Sequence, residues 1–236
     1  MANGYADLTV IIPTLNEEKS VGQVLRRISR EYNGCEIVVV DDGSDDLTKQ
    51  VVKGFAKQER RVRFFDRSAT GMERGLTASI VYGIMRSTTK YVIVIDADLQ
   101  HPTEKIHEMA SRLRSGCDLV VASRARVTDW AAYRRIISRA FMYVGRAVLF
   151  VEAKETCADI FSGFFGIRRE LFVSTYKKNS SRFVGEGYKI LFDFLKCVDR
   201  GALRIGNVPF VFRTREFGSS KAEVTQGLAL LRSFAS

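Results

Sequence analysis

Two hydrophobic rhythms alternate along the first half of this chain. Unbroken runs of β-branched and aromatic residues read as strands buried on both faces. Between them, apolar residues recur every three to four positions, as on one side of a helix. The run "LTVIIP" (Leu8 to Pro13) is a strand, and Asn16 is placed to cap the following helix, in which Val21, Val24, Leu25 and Ile28 share a face. "CEIVVVDDGS" (Cys35 to Ser44) predicts a second strand entering an acidic turn, then a helix through about Gln58. "RVRFFD" (Arg61 to Asp66) is a third strand, and Gly71 to Met85 a loop entering a helix. "KYVIVIDAD" (Lys90 to Asp98) is the fourth, followed by a helix over Glu104 to Arg114 and the strand "DLVVASR" (Asp118 to Arg124).

The second half is less regular. A helix over Trp130 to Val151 carries arginines among apolar residues, and "DIFSGFFGIRRELF" (Asp159 to Phe172) reads as an extended segment, a turn and a helix. An amphipathic helix is expected over Glu186 to Val198, a strand over Arg204 to Phe212 and a short helix over Glu223 to Phe234. Continuous apolar strands separated by helices imply one α/β domain whose mostly parallel sheet is covered on both faces. Ligands of such sheets bind beyond the carboxyl ends of the strands. The polar clusters Asp41-Asp42, Asp96-Asp98 and Arg124-Arg126 all fall at that edge.

Length agrees with a single large domain: 236 residues without a linker or internal repeat. Four cysteines lie far apart and only two histidines occur, which gives neither a zinc cluster nor a disulfide framework and suits a reducing compartment. The formal charge of +10 changes the picture more. From Arg112 to Arg146, eight arginines stand against two acids, Asp118 and Asp129. Such a surface suits nucleic acid, an anionic membrane or a phosphorylated substrate. No window approaches the ~18 consecutive apolar residues of a membrane span, and the N-terminus lacks the basic start and apolar core of a signal peptide. A peripheral position on a membrane is therefore expected, with Trp130 to Val151 as either an interfacial or a core-packed helix.

The chemistry concentrates in "DADLQHP" (Asp96 to Pro102). Two carboxylates that close repel unless a proton or cation intervenes. Hard cations such as Mg²⁺ and Mn²⁺ take oxygen ligands and keep positions for substrate phosphate, and Gln100 adds a neutral oxygen. The alternative is a pair of solvated acids at a turn. The second acidic site, "VVVDDGSDD", offers a carboxylate to a nucleobase edge or forms a glycine turn capped by Ser44. It lacks both the G-x-G-x-x-G spacing of dinucleotide sites and the Walker lysine.

These motifs occur in order with several others: "VIIPTLNE", "RGLTASIVYG", "ASR", W-x-x-x-R-x-x-x-S (Trp130, Arg134, Ser138), "SGFFGIRR", "GYKIL" and R-x-x-G-x-S-K (Arg215, Gly218, Ser220, Lys221). Over about residues 8–222 the chain resembles the dolichyl- or polyprenyl-phosphate mannose synthases, inverting family 2 glycosyltransferases of GT-A fold, with 223–236 left as a C-terminal amphipathic helix. The resemblance implies that Pro13, Glu17, Asp41 and Asp42 line the nucleotide pocket. It implies that Asp96, Asp98 and Gln100 hold Mg²⁺ or Mn²⁺ and through it the donor diphosphate. Arg124, Arg134, Ser138, Arg215 and Lys221 would surround the donor and acceptor phosphates. Leu15 stands where these synthases often carry tyrosine.

The implied activity is mannose transfer from GDP-mannose to a polyprenyl (dolichyl) phosphate. Its implied setting is the cytoplasmic face of the endoplasmic reticulum or a prokaryotic plasma membrane, with a possible membrane-anchored partner subunit. A UDP-glucose donor is the near alternative, because D-x-D is blind to base and sugar. A basic nucleic-acid-binding module is the alternative from another class. It would interleave exposed aromatics with the basic residues, whereas this stretch sets arginines among buried-type apolar residues, so no nucleic-acid partner is expected.

Overall fold

In the computed structural model, which describes residues 4–68, 74–127, 132–183 and 189–212, the apolar runs assemble into a seven-stranded sheet. Its strands are β1 (Leu8–Thr14), β2 (Glu36–Asp41), β3 (Val62–Asp66), β4 (Tyr91–Val94), β5 (Leu119–Val127), β6 (Phe165–Arg168) and β7 (Ile205–Phe212), in the order β3-β2-β1-β4-β6-β5-β7. All neighbouring pairs are parallel except those of β6, which runs antiparallel to both β4 and β5. Chain patterning foresaw the mostly parallel sheet, but it could not foresee this reversal. The short run "FFGIR" carries no mark of direction.

Two apolar layers cover the sheet. The helices α1 (Val21–Glu31), α2 (Thr48–Gln58) and α4 (Lys105–Arg114) pack on one face, where Val24, Leu25, Ile28, Ile106 and Leu113 bury against Val10, Ile12 and Ile93. On the other face Ile11, Val38, Val40, Val92 and Val121 meet α3 (Leu76–Arg86), α5 (Ala132–Val151), α6 (Arg169–Asn179) and α7 (Ile190–Lys196). Alternate residues of one strand thus feed both layers, which is why the strands read as unbroken apolar runs.

Helix α3 lies so close to the sheet that a Cβ on Gly83 would stand 2.8 Å from Ile11 Cγ2 and 3.1 Å from Val40 Cγ2. Gly83→Ala gains about 1 kcal/mol in helix propensity but overpacks a dense core at a cost of about 1–3 kcal/mol. We expect a net lowering of the denaturant midpoint with an unchanged m-value. A midpoint at or above wild type would show that α3 can move outwards.

Two sequence expectations are corrected. Asn16 does not cap α1: Ser20 is the cap residue, and Asn16 adopts φ 54° in the loop before it. Asparagine tolerates this left-handed backbone because its short polar side chain can bond locally. The fourth strand ends at Val94 rather than Asp98. The Ile95 N–H still bonds the Ile11 carbonyl at 3.0 Å, after which the chain leaves the sheet. Asp96 and Asp98 therefore sit on a loop that includes Leu99 at φ 66°, and not on one side of an extended strand. The expected helices over Glu223 to Phe234 and at the start of Glu186 to Val198 lie outside the described residues.

Candidate active site

The loops after β1 and β2 are fastened to one another. Asn16 N–H donates to Ser44 Oγ at 2.9 Å, and Asp45 N–H donates to Asn16 Oδ1 at 3.0 Å. Glu17 N–H donates to Thr48 Oγ1 at 2.7 Å and Glu18 N–H to Asp46 Oδ2 at 3.1 Å. Asp41 is the internal post of this assembly. Its fully buried carboxylate accepts from Thr14 Oγ1 at 3.1 Å, from the N–H groups of Gly43 and Ser44 at 3.0 and 2.8 Å, and from Ser44 Oγ at 2.5 Å. That count of donors gives Asp41 the task of shaping the loop. Pro13 is buried in β1 opposite Val40, and Glu17 is half-buried with Oε2 accepting from Ser20 Oγ at 2.9 Å.

Its neighbour Asp42 has a different setting. Asp42 Oδ1 accepts from Arg67 Nη1 at 2.8 Å and Oδ2 accepts from Gly75 N–H at 2.7 Å. Burial raises the Asp42 carboxyl above its ordinary value, against the opposing pull of the Gly75 N–H and of Arg67. Arg67 is itself buried, and Nη1 also donates to Ser79 Oγ at 2.7 Å. The Arg74 guanidinium lies against Gly43, where a Cβ would be 3.2 Å from its central carbon. Gly43 holds φ 99°, a backbone conformation that favours glycine. Sequence reasoning missed Arg67. An arginine just past the end of β3, level with the acidic turn that follows β2, was the available signal.

At the end of β4, Asp98 is buried with Oδ1 accepting from Gln100 N–H at 3.0 Å, while Asp96 is partly open. His101 ties this loop to the other half of the sheet. Its ring stacks on Phe164 at 5.1 Å and meets Phe210 and Phe212 edge-on at 5.7 and 5.9 Å. Burial pushes the His101 pKa down to about 4, so the ring is neutral near pH 7. Its Nδ1 then accepts from Asp96 N–H at 3.3 Å, and the 3.5 Å approach of Asp96 Oδ2 is not an ion pair. Arg124 lies over the same Phe212 ring at 5.9 Å, and Gly163 stands beside both Asp96 and His101, which brings the D-x-D loop, the end of β5 and the segment before β6 together.

Arg124 forms a two-pronged bridge to Asp159, with Nε at 2.8 Å from Oδ2 and Nη2 at 3.1 Å from Oδ1. The Asp159 side chain is 5% exposed and that of Arg124 is 20% exposed. A bulge in β5 falls between Arg124 and Arg126, as expected where a strand re-aims its side chains at a site. Asp159 escaped sequence reasoning because nothing in "ADIFSGF" marks it as the partner of a residue 35 positions earlier. Ser138 is half-buried on α5; Arg134 lies in the first turn of that helix, where only the backbone is described. Arg215 and Lys221 lie outside the described residues.

Asp96, Asp98 and Gln100 together offer two carboxylates and an amide oxygen, hard donors that suit Mg²⁺ or Mn²⁺. Gly163 leaves room beside the first of them: a Cβ there would stand 3.5 Å from Asp96 Oδ2. Among the described residues no three His, Cys, Asp or Glu side chains converge as metal ligands. A cation on two carboxylates keeps its other positions for water and substrate phosphate, the usual arrangement of Mg²⁺ at phosphate sites. These oxygen donors are of the kind such a cation takes.

The mostly parallel sheet, with its acidic and basic loops at the carboxyl edge, has the GT-A architecture. The sequence profile of glycosyl transferase family 2 matches residues 9–174, and the chain belongs to that family. It is 33% identical over 220 residues to a dolichol-phosphate mannosyltransferase of Pyrococcus furiosus; the match covers 91% of this chain and 58% of that protein, so the chain spans a little over half of its length. It is 28% identical to a polyprenol monophosphomannose synthase of Mycolicibacterium smegmatis, over 90% of this chain and 79% of that protein. Among solved structures, glucosyl-3-phosphoglycerate synthase from Mycobacterium tuberculosis, crystallised with Mn²⁺, uridine diphosphate and phosphoglyceric acid, shares the fold. Its TM-score is 0.67 at 21% identity, over 96% of this chain and 78% of that one.

Proposed function

We propose that this glycosyltransferase moves mannose from GDP-mannose to the phosphate of a polyprenyl (dolichyl) phosphate, inverting the anomeric centre. It would work peripherally, at the cytoplasmic face of the membrane that carries the acceptor. The observation that carries this reading is the convergence on the Phe212 ring of His101, from the D-x-D loop, and of Arg124, braced by Asp159, which supports an acidic and a basic half of one site. The names of the related mannosyltransferases support the choice of sugar and acceptor. Among the described residues no helix is long and apolar enough to cross a membrane.

An alcohol acceptor would require a positioned general base. A phosphate acceptor is already anionic, and the difficulty is instead to bring it against a diphosphate. Two unit charges ~4 Å apart repel by about 4 kcal/mol at an effective dielectric near 20, and several such pairs meet here. Asp96, Asp98 and Gln100 would hold Mg²⁺ or Mn²⁺, which neutralises the leaving diphosphate. In this reading Pro13, Glu17 and Asp42 border the nucleotide, with Arg67 setting the Asp42 carboxylate and Asp41 holding the loop. Arg124, braced by Asp159, presents positive charge at the phosphate end, joined by Arg134, Ser138, Arg215 and Lys221. Guanidinium groups suit this role because their planar forks match phosphate oxygens. An acceptor oxygen attacks the anomeric carbon as the bond to the diphosphate breaks on the opposite side; no proton needs to move.

Turnover of a panel of GDP- and UDP-sugars with polyprenyl phosphate and Mg²⁺ or Mn²⁺ tests the donor assignment. GDP-mannose is expected to be the preferred donor. Turnover with UDP-glucose alone would overturn the mannose assignment and leave the phosphate acceptor standing.

A further inference from the structure

The far end of α5 carries features that catalysis does not use. Over its 20 residues the helix holds four arginines and no acid. Its inner side is pressed against the body: Leu149 is fully buried, and a Cβ on Gly145 would stand 2.7 Å from Ile160 Cδ1. Its outer side is apolar and bare. Ile137, Val144 and Val151 recur at seven-residue spacing, as do Tyr143 and Phe150, so they form one stripe along the helix. Their exposures run from 47% for Val144 to 82% for Val151, with Tyr143 and Phe150 at 72% and 70%. An isolated exposed leucine or valine needs no explanation, but a continuous stripe of this kind marks an interaction surface.

Beside that stripe opens a cleft of about 460 Å³ lined by Arg146, Phe150, Thr156, Cys157, Ala158 and Arg200. Both guanidinium groups are anchored through Nη2. That of Arg146 donates to the carbonyls of Cys157 and Ala158 at 3.2 and 2.8 Å, and that of Arg200 donates to the Phe150 carbonyl at 3.1 Å. Arg200 also stacks over the Phe150 ring at 4.7 Å. The acids nearby are Asp199, held by Lys154 at 2.8 Å, the exposed Glu152, and the buried Glu155, which accepts from Gly201 N–H at 2.9 Å. Two fixed guanidinium groups beside exposed phenylalanine and valine match the boundary of a lipid bilayer, where phosphate lies just above hydrocarbon.

We propose that this cleft binds the phosphodiester of an anionic phospholipid while Tyr143, Phe150 and Val151 enter the bilayer surface. The site is separate from the acceptor phosphate: Phe150 lies about 18 Å along the helix from Ser138. It rests on the functional reading only in so far as that reading places the acceptor in a membrane. Docking at one end of α5 would hold the other end, where Arg134 and Ser138 lie, at a fixed height above the lipid.

Cosedimentation of the full chain with phosphatidylcholine vesicles, with and without phosphatidylglycerol, tests the proposal. Wild type should bind the anionic vesicles and bind pure phosphatidylcholine much more weakly. The double variant Arg146→Gln/Arg200→Gln should lose about 30-fold in affinity for the anionic vesicles, taking the usual contribution of a basic residue near such a surface. Because Arg146 also braces the segment before β6, Phe150→Ser provides a second route. That side chain is largely in solvent, so the variant should melt like wild type and still bind vesicles more weakly. No wild-type binding, or unchanged binding in both variants, would overturn the proposal. Release by inorganic phosphate at concentrations that leave ionic strength unchanged would also overturn it, in favour of a small-anion site. Transfer to a detergent-dispersed polyprenyl phosphate should be the same in wild type and Phe150→Ser. Its absence in wild type would count against the functional reading and leave the vesicle result intact.

Discussion

Asp98→Ala is expected to lower sugar transfer by about 10²–10³-fold, the scale on which removal of a group that stabilises developing charge in a dry site is felt. The same change should hardly disturb the fold. Asp98 Oδ1 accepts from Gln100 N–H at 3.0 Å within its own loop, and losing such a bond costs about 1 kcal/mol. Against this, the variant removes a buried negative charge, whose loss of hydration opposes folding. The melting temperature should therefore shift by no more than about 2–4 °C in a chain of this size. Asp98→Asn, which preserves shape and removes charge, should be as defective as the alanine variant. Initial rates in saturating Mg²⁺ or Mn²⁺, read beside a thermal melt, separate the two effects. Near-normal transfer by the variant in the presence of EDTA would remove the basis for a metal role.

Arg124→Ala should be strongly destabilising. The residue's bridge to Asp159 is two-pronged, and the aspartate side chain is 5% exposed, so the variant strands a buried carboxylate. Breaking one side of such a pair costs about 3–5 kcal/mol, and the partial exposure of Arg124 puts the expected loss near about 3 kcal/mol. That corresponds to a fall in melting temperature of about 6–12 °C. Replacing both partners, Arg124→Ala/Asp159→Ala, should recover part of the loss, since no unpaired charge then remains. Arg124→Lys should fall between wild type and alanine: it keeps the charge but cannot span both carboxylate oxygens. A melting temperature for Arg124→Ala equal to that of wild type would show that Asp159 finds another partner and that the bridge does not brace the site.

Much of the fold was legible because buried strands in a parallel sheet advertise themselves. The runs at Leu8, Glu36, Val62, Tyr91 and Leu119 were recognisable from composition alone, and each turned out to be paired along its length. What could not be read was the insertion of β6 against the direction of its neighbours, because side-chain alternation is the same whichever way a strand runs. Strand ends were also obscured. Ile95 is as apolar as Val94, yet β4 stops at Val94. The candidate residues themselves were visible as local motifs, while the contacts that fix them were not. Arg124 was picked out without Asp159, Asp42 without Arg67, and the D-x-D loop without the part played by its own histidine. His101 draws its role from Phe164, Phe210 and Phe212, which come from far along the chain. Asp41 and Asp42 look equivalent in sequence. Asp41 is buried under four hydrogen bonds within the β1–β2 loop assembly, whereas Asp42 is joined to Arg67 and the Gly75 N–H.

The central claim is that the acceptor is a lipid phosphate and that the site therefore needs no general base. It is tested most directly by comparing transfer from GDP-mannose to polyprenyl phosphate and to the corresponding polyprenol, in the same vesicles and across a range of pH. With the phosphate acceptor the rate should rise as the second ionisation of the phosphate near pH ~6 is passed and then stay level, and with the alcohol no product should form. Comparable transfer to polyprenol, or a rate that keeps climbing with pH on the phosphate acceptor, would contradict the account.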